Sequence, residues 1–204
     1  MKRRDAIKSI TLSTGMVITA SAWTSLMQSC TPAPRLGWKP LYFSEDEAKT
    51  VSALADLIIP KEDGIGAVDV QVPQVIDRFL NGAKSIEDQE KFQDGYAVFE
   101  KAMQKEYGDY YFQLSKETQL EVLTKYFKLP AQEYVRIMNV VADNDAQGSE
   151  EFFIYSFLTM TRDLAIHTYR TSAIIGKEVL SYDPIPGVYQ GCIPVEEVGN
   201  AWSL

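Results

Sequence analysis

Few side chains in this sequence have the type and spacing to do chemistry. His167 is the only imidazole, within Leu164-Ala165-Ile166-His167-Thr168-Tyr169, and Asp163 stands four residues earlier. A carboxylate one helical turn away could orient a general base. No matching nucleophile or glycine-rich loop accompanies the pair, so His167 is expected on a helix surface or at an interface. Asp143-Asn144-Asp145-Ala146-Gln147-Gly148 places oxygen side chains at the first, third and fifth positions of a calcium loop, with glycine sixth. The twelfth position is Ile154, where calcium needs a bidentate glutamate. An inter-helix turn with acidic caps is the better account. One His and two Cys, Cys30 and Cys192, are too few for a zinc site, a haem or an iron–sulfur cluster. The sequence has no GxGxxG, so FAD or NAD is not expected in this chain. No catalytic, cofactor-binding or metal constellation emerges.

The bulk composition describes an ordinary globular chain. It has 204 residues, 46% of them hydrophobic and 24% charged, enough for one domain with a real core. The formal net charge of -8 argues against a nucleic-acid partner, because affinity there comes mainly from neutralising phosphates. The N-terminus departs from this acidic balance. Lys2, Arg3, Arg4 and Lys8 face only Asp5 before a moderately apolar, Ser/Thr-rich stretch from Ile10 to Ala20. Basic start, apolar middle and small residues follow the order of a secretory signal. Arg3-Arg4-Asp5-Ala6-Ile7-Lys8 is similar to the twin-arginine pattern, with Ala6 and Ile7 as departures. An ordinary signal peptide or an uncleaved anchor is the other reading. A spanning helix needs about 20 mainly apolar residues, which this segment lacks. Leu26-Met27-Gln28-Ser29-Cys30 is a loose lipoprotein box, making Cys30 a candidate for lipidation. Cleavage nearby with Cys30 incidental is the alternative.

The elements beyond the leader read as helices. Ser44-Glu45-Asp46-Glu47 forms a capping box, followed by Ala48, Val51, Leu54, Ala55 and Ile58 at helical spacing and stopped by Pro60. Pro73 suits a first helical position, with Val75, Ile76, Phe79 and Leu80 on one side. Ser85 opens a longer helix with a stripe of Phe92, Tyr96, Phe99 and Met103, and Ser115 opens one carrying Leu120, Leu123 and Phe127. Pro130 restarts the chain into Tyr134, Ile137, Met138 and Val141, and Ser149 opens the longest stretch, to about Leu180. Aromatic stripes at this spacing are core positions. The expected fold is mainly α: signal 1–30, linker 31–43, one helical domain 44–181, and an extended C-terminal arm 182–204.

The arm is set apart by composition. Residues 182–194 hold Pro184, Pro186 and Pro194 with Gly187 and Gly191, which precludes a helix there. Tyr182, Ile185, Val188, Tyr189 and Ile193 offer apolar contacts for docking on a partner or on the domain itself. If Cys30 carries lipid or is removed, Cys192 is an odd thiol in an exported protein. It is then either buried and inert or bridged to another chain.

Ala53-Leu54-Ala55-Asp56-Leu57-Ile58-Ile59-Pro60, Gly66-Ala67, Val72-Pro73-Gln74-Val75-Ile76-Asp77 and the ending from Tyr182 to Pro194 resemble the gluconate 2-dehydrogenase subunit 3 family. Twin-arginine leaders are typical of that family as well. The resemblance implies a small periplasmic accessory subunit without catalytic residues of its own. Its partner would be a large FAD-binding subunit of the glucose-methanol-choline oxidoreductase type, which oxidises a sugar or sugar acid. A cytochrome c subunit often takes the electrons. The small subunit carries the export signal and escorts the folded flavoprotein across the membrane. A free-standing periplasmic helical lipoprotein without a redox partner is the alternative.

Overall fold

Serine hydroxyls start the helices by one local device. In the computed structural model, which describes residues 36–203 except 63, 143–147, 186, 189 and 190, Ser44 precedes α1 (Glu45–Ile58). Its hydroxyl accepts the Glu47 N–H at 3.3 Å while Glu47 Oε2 accepts the Ser44 N–H at 2.7 Å. This is the capping box expected from the sequence. Pro73 lies in the first turn of α2 (Val72–Ala83), where its missing N–H has no helical partner to lose. Ser85 caps α3 (Ile86–Tyr107), Ser115 caps α4 (Lys116–Phe127) and Ser149 caps α6 (Glu150–Arg170), each accepting an N–H three residues on. Such caps contribute about 1 kcal/mol apiece. Between α4 and α6 lies α5 (Ala131–Ala142), and a 3-10 turn, Tyr111–Gln113, joins α3 to α4.

Among the described residues the fold is helical, with no strand, as the periodicity predicts. The long helices α3 and α6 form the central pair, and α1, α2 and α5 pack against α6. Phe157 on α6 is the hub. Its ring lies 5.1 Å from Phe92, 5.4 Å from Phe99 and 5.8 Å from Tyr96, centroid to centroid. Each such aromatic pair adds roughly 0.5–1.5 kcal/mol beyond simple burial. Gly95 lets these helices close. A Cβ there would meet the Phe153 carbonyl oxygen at 2.7 Å and Phe157 Cβ at 2.8 Å. Phe92, Phe99, Met103, Leu123 and Ile137 are buried as the stripes imply, whereas Val75, Phe79, Leu120 and Tyr134 are exposed edge positions.

Three expectations need correction. Residues 36–43, assigned to a linker, belong to the compact unit Leu36–Leu204. Leu36, Trp38, Tyr42 and Phe43 pack on the core. The cause is Asp77 on α2, 1% exposed. Its Oδ1 accepts the Tyr42 and Phe43 N–H groups at 2.9 and 2.8 Å, and its Oδ2 accepts the Leu41 N–H at 2.8 Å. The last long helix, expected to reach about Leu180, ends at Arg170. Thr171 turns its hydroxyl back onto the His167 carbonyl at 2.8 Å, the local competition that disfavours Thr within helices. A separate π-turn, Ile175–Val179, follows. Nor is the tail simply extended. Residues 195–198 form one helical turn, α7 (Val195–Val198), and the chain then returns so that Ser181 bridges Trp202. Arg3, Arg4, Cys30, Asp143–Gln147 of the calcium-like stretch, and Tyr189 lie outside the described residues.

Asp77 is therefore the tie between the segment before α1 and the helical body. Asp77→Ala is expected to lower the unfolding free energy by about 3 kcal/mol, since it leaves buried N–H donors without acceptors. Asp77→Asn should cost less, because one oxygen can still accept from Tyr42 and Phe43. Urea denaturation of the three proteins checks the order, and parental stability in Asp77→Ala would refute the tie.

Candidate functional site

His167 and Asp163 do line one cleft, of about 410 Å³, but not as a base and its orienter. Asp163 Oδ1 instead accepts from Arg162 Nε at 2.8 Å, and among the described residues the His167 ring has no hydrogen-bond partner. His167 is exposed on α6, as expected for a surface imidazole. The cleft gathers residues that sequence spacing did not connect. Lys84 comes from just past α2, Lys91 from α3, Val141 from α5, and Ser156, Thr159, Met160 and Leu164 from α6. Lys84 Nζ lies 3.4 Å from Asp88 Oδ2. Lys91 Nζ sits 4.6 Å from the centre of the Phe152 ring, a cation–π contact. Ser156, 3% exposed, has a buried hydroxyl with no partner among the described residues.

The second surface of interest is the tail. Ile185 is 83% and Val188 92% exposed, and Tyr182, Ile193, Val195 and Trp202 are exposed too. Cys192 is a free, exposed thiol, so this chain does not bury it. The loop that presents these residues is closed at its base. Ser181 donates its hydroxyl to the Val198 carbonyl at 2.5 Å and accepts the Asn200 N–H at 3.2 Å. Its backbone N–H donates to Ala201 O, and its carbonyl accepts from Ser203 N–H, both at 2.9 Å. Asn200 Nδ2 reaches the Val179 carbonyl at 2.6 Å. Ser181 was not singled out from sequence, because one serine among many shows nothing of a partner some 20 residues on.

Between α1 and α3 lies a buried acidic network. Glu100 Oε1 accepts from the Thr50 hydroxyl at 2.5 Å, and Oε2 accepts from the Tyr111 N–H at 3.0 Å. Burial pushes the Glu100 carboxyl above its ordinary value, and these two hydrogen bonds only partly hold it back. The Tyr96 and Tyr111 phenols are pushed up by burial and, to a lesser extent, by the charge of Glu100. Glu47 is buried nearby with Oε1 unpartnered. Among the described residues no three His, Cys, Asp or Glu side chains converge to hold a metal ion. No helix there is long and apolar enough to cross a membrane.

Residues 45–187 match the family model described as gluconate 2-dehydrogenase subunit 3. The chain belongs to that family. No curated protein and no solved structure matches it significantly. The family's name makes the chain a subunit of a multi-subunit dehydrogenase. The matched span runs from the first residue of α1 through all the long helices and into the tail at Gly187, so Cys192 lies beyond it. Asp77 falls inside it, within the Val72–Asp77 stretch that carried the resemblance.

Glu100 gives this family member a pH signature. Its folded-state value is raised, so between about 4.5 and that raised value the folded state binds more protons than the unfolded one. Its contribution to stability is then present at low pH and lost as pH rises through that window. Glu100→Gln removes the titration. The stability of the parent relative to Glu100→Gln is expected to fall as pH rises above about 4.5, read by urea midpoints from acidic to neutral pH. A flat difference would refute the assignment.

Proposed function

We propose that this chain is a non-catalytic accessory subunit of a periplasmic FAD-dependent sugar or sugar-acid dehydrogenase. In this reading it supports export and assembly of the flavoprotein subunit, and a cytochrome c subunit receives the electrons. FAD belongs to the large partner, not to this chain. Family membership supports the dehydrogenase assignment, and Arg3-Arg4 with Ile7-Lys8 supports twin-arginine export. Cys30, if lipidated, would hold the complex at the membrane.

The observation that carries the assembly role is the tail. Large apolar side chains on a loop clasped at its base are uncovered in the isolated chain, and this exposure supports a docking role for the tail. Tyr182 and Ile185 present this surface together with Val188. Tyr189, from the same stretch of sequence, completes the docking set. Pro184, Pro186 and Pro194 limit the chain entropy lost on binding. Cys192 stands on the same loop, where its thiol would meet a cysteine of the flavoprotein.

Two experiments test separate halves of this reading. Replacing Arg3 and Arg4 with lysine is expected to retain precursor and flavoprotein partner together in the cytoplasm, followed by fractionation and immunoblotting. Normal export of both would refute the twin-arginine role. Truncation before Tyr182 is expected to abolish co-purification of the flavin-containing partner while the long helices stay folded by circular dichroism. Full recovery of the partner would move the interface onto the helices.

A further inference from the structure

The end of α2 lacks a closure that four other helices have. α1, α3, α4 and α6 each finish with a capping N–H on a carbonyl of the last turn, donated by Ile59, Gly108, Lys128 and Thr171. Lys84, the residue after α2, lies in extended backbone at φ -92°, ψ 147° and makes no such bond. The last turn of α2 holds no basic side chain to offset the helix dipole. It does contain Gly82, and glycine is the poorest helix former after proline. Helix ends of this kind open locally at far less free energy than global unfolding requires. Asn81 stands directly before that glycine, and both residues are exposed. Of the four asparagines in the sequence, Asn81 alone precedes a glycine; Asn139, Asn144 and Asn200 precede Val140, Asp145 and Ala201. A Cβ on the following residue shields its backbone nitrogen from the asparagine side chain, and glycine has none. The space beside Gly82 is open as well, since a Cβ placed there would meet nothing within 4 Å. Asn200, by contrast, is held by its Nδ2 donating to the Val179 carbonyl at 2.6 Å.

We infer that Asn81 is a site of spontaneous deamidation in the folded protein, reached through a cyclic imide with the Gly82 backbone nitrogen. When the last turn opens, the Gly82 amide nitrogen gives up its proton and bonds to Asn81 Cγ. The Cγ–Nδ2 bond breaks, and ammonia leaves carrying that proton. Water then adds to one of the two ring carbonyls, and the bond from that carbon to nitrogen breaks. One route restores the original backbone with aspartate at position 81; the other leaves isoaspartate, with the main chain running through Cβ. Water is the only co-reactant. Either product puts a new negative charge in the last turn of α2, the end where the helix dipole disfavours it. Isoaspartate also lengthens the main chain just before Lys84, whose ammonium lies 3.4 Å from Asp88 Oδ2 and whose carbonyl accepts from Gln89 Nε2 at 3.2 Å. The corner between α2 and α3 therefore carries the consequence. The reaction is independent of the tail and of a flavoprotein partner.

Incubation of the purified full chain at neutral and mildly alkaline pH, followed by trypsin and mass spectrometry against an unincubated control, tests this. The tryptic peptide Phe79–Lys84 holds no other asparagine. The mass increase of amide-to-acid conversion is expected there first, ahead of the peptides carrying Asn139, Asn144 and Asn200, and faster at the higher pH. Two products of equal mass, aspartate and isoaspartate, should separate by chromatography. Gly82→Ala should slow the conversion several-fold with helical content retained by circular dichroism. An intact Phe79–Lys84 peptide from folded protein alongside conversion in urea, another asparagine reacting faster, aspartate as the sole product, or an unchanged rate in Gly82→Ala would each overturn the inference.

Discussion

A single carboxylate decides where the helical body begins. Asp77 points from α2 into a site where the backbone of Leu41, Tyr42 and Phe43 turns its N–H groups inward. Hydrogen bonds to an ionised acceptor are roughly twice as strong as neutral ones, and here three converge on one buried group. Their consequence is positional. Once residues 41–43 are held, Phe43 stacks on Phe92 at 5.6 Å, and Ser44 falls where its capping box can open α1. Phe92 in turn packs on Phe157, the hub of the α3–α6 pair. Loss of the Asp77 tie would thus release a backbone segment, an aromatic pair and a helix start at once.

The parts of this fold that were legible in the sequence are those whose cause is local. A capping serine binds an N–H three residues away, so Ser44, Ser85, Ser115 and Ser149 announced their helices without any tertiary information. The Phe92–Met103 stripe was legible for the same reason, because helical periodicity is set by backbone geometry. Asp77 shows where this reasoning stops. It shares a helix face with Pro73 and Leu80, both buried. An acid at an apolar register signals a buried role, but not that its partners lie 34 to 36 residues earlier. Residues 31–43 read as a linker because prolines and glycine are local signals, whereas the tie that orders 36–43 is not. The early end of α6 is a closer case. The hydroxyls of Thr171 and Ser172 engage nearby backbone there, a local competition that residue type alone can signal.

The candidate site divides along the same line. The His167–Asp163 pair was visible because one helical turn separates the two residues, yet Asp163 answers to its neighbour Arg162 instead. Adjacent ions at 2.8 Å compete well with an imidazole that must be reached along the helix. Lys84, Lys91 and Ser156 come from different places in the chain, and no spacing rule links them. Gly95 held an indirect clue. A glycine inside a long helical stripe signals close approach of another backbone, and the close approach of Phe153 and Phe157 brings α6 against α3.

The body and the tail solve opposite problems. In the body, buried polar groups such as Asp77 and Glu100 are matched by donors from distant segments, which fixes one arrangement of helices. In the tail, apolar groups are held away from the core by hydrogen bonds that converge on Ser181. A loop whose apolar side chains served its own domain would gain by collapsing onto the helices, since each fully buried Ile or Val side chain is worth roughly 1.5–3 kcal/mol. Ile185 and Val188 forgo that gain. The Ser181 clasp keeps the ends of the loop together. Exposed apolar side chains on a loop clasped at its base, attached to a body with its own closed core, are the features on which the proposed docking of a partner rests.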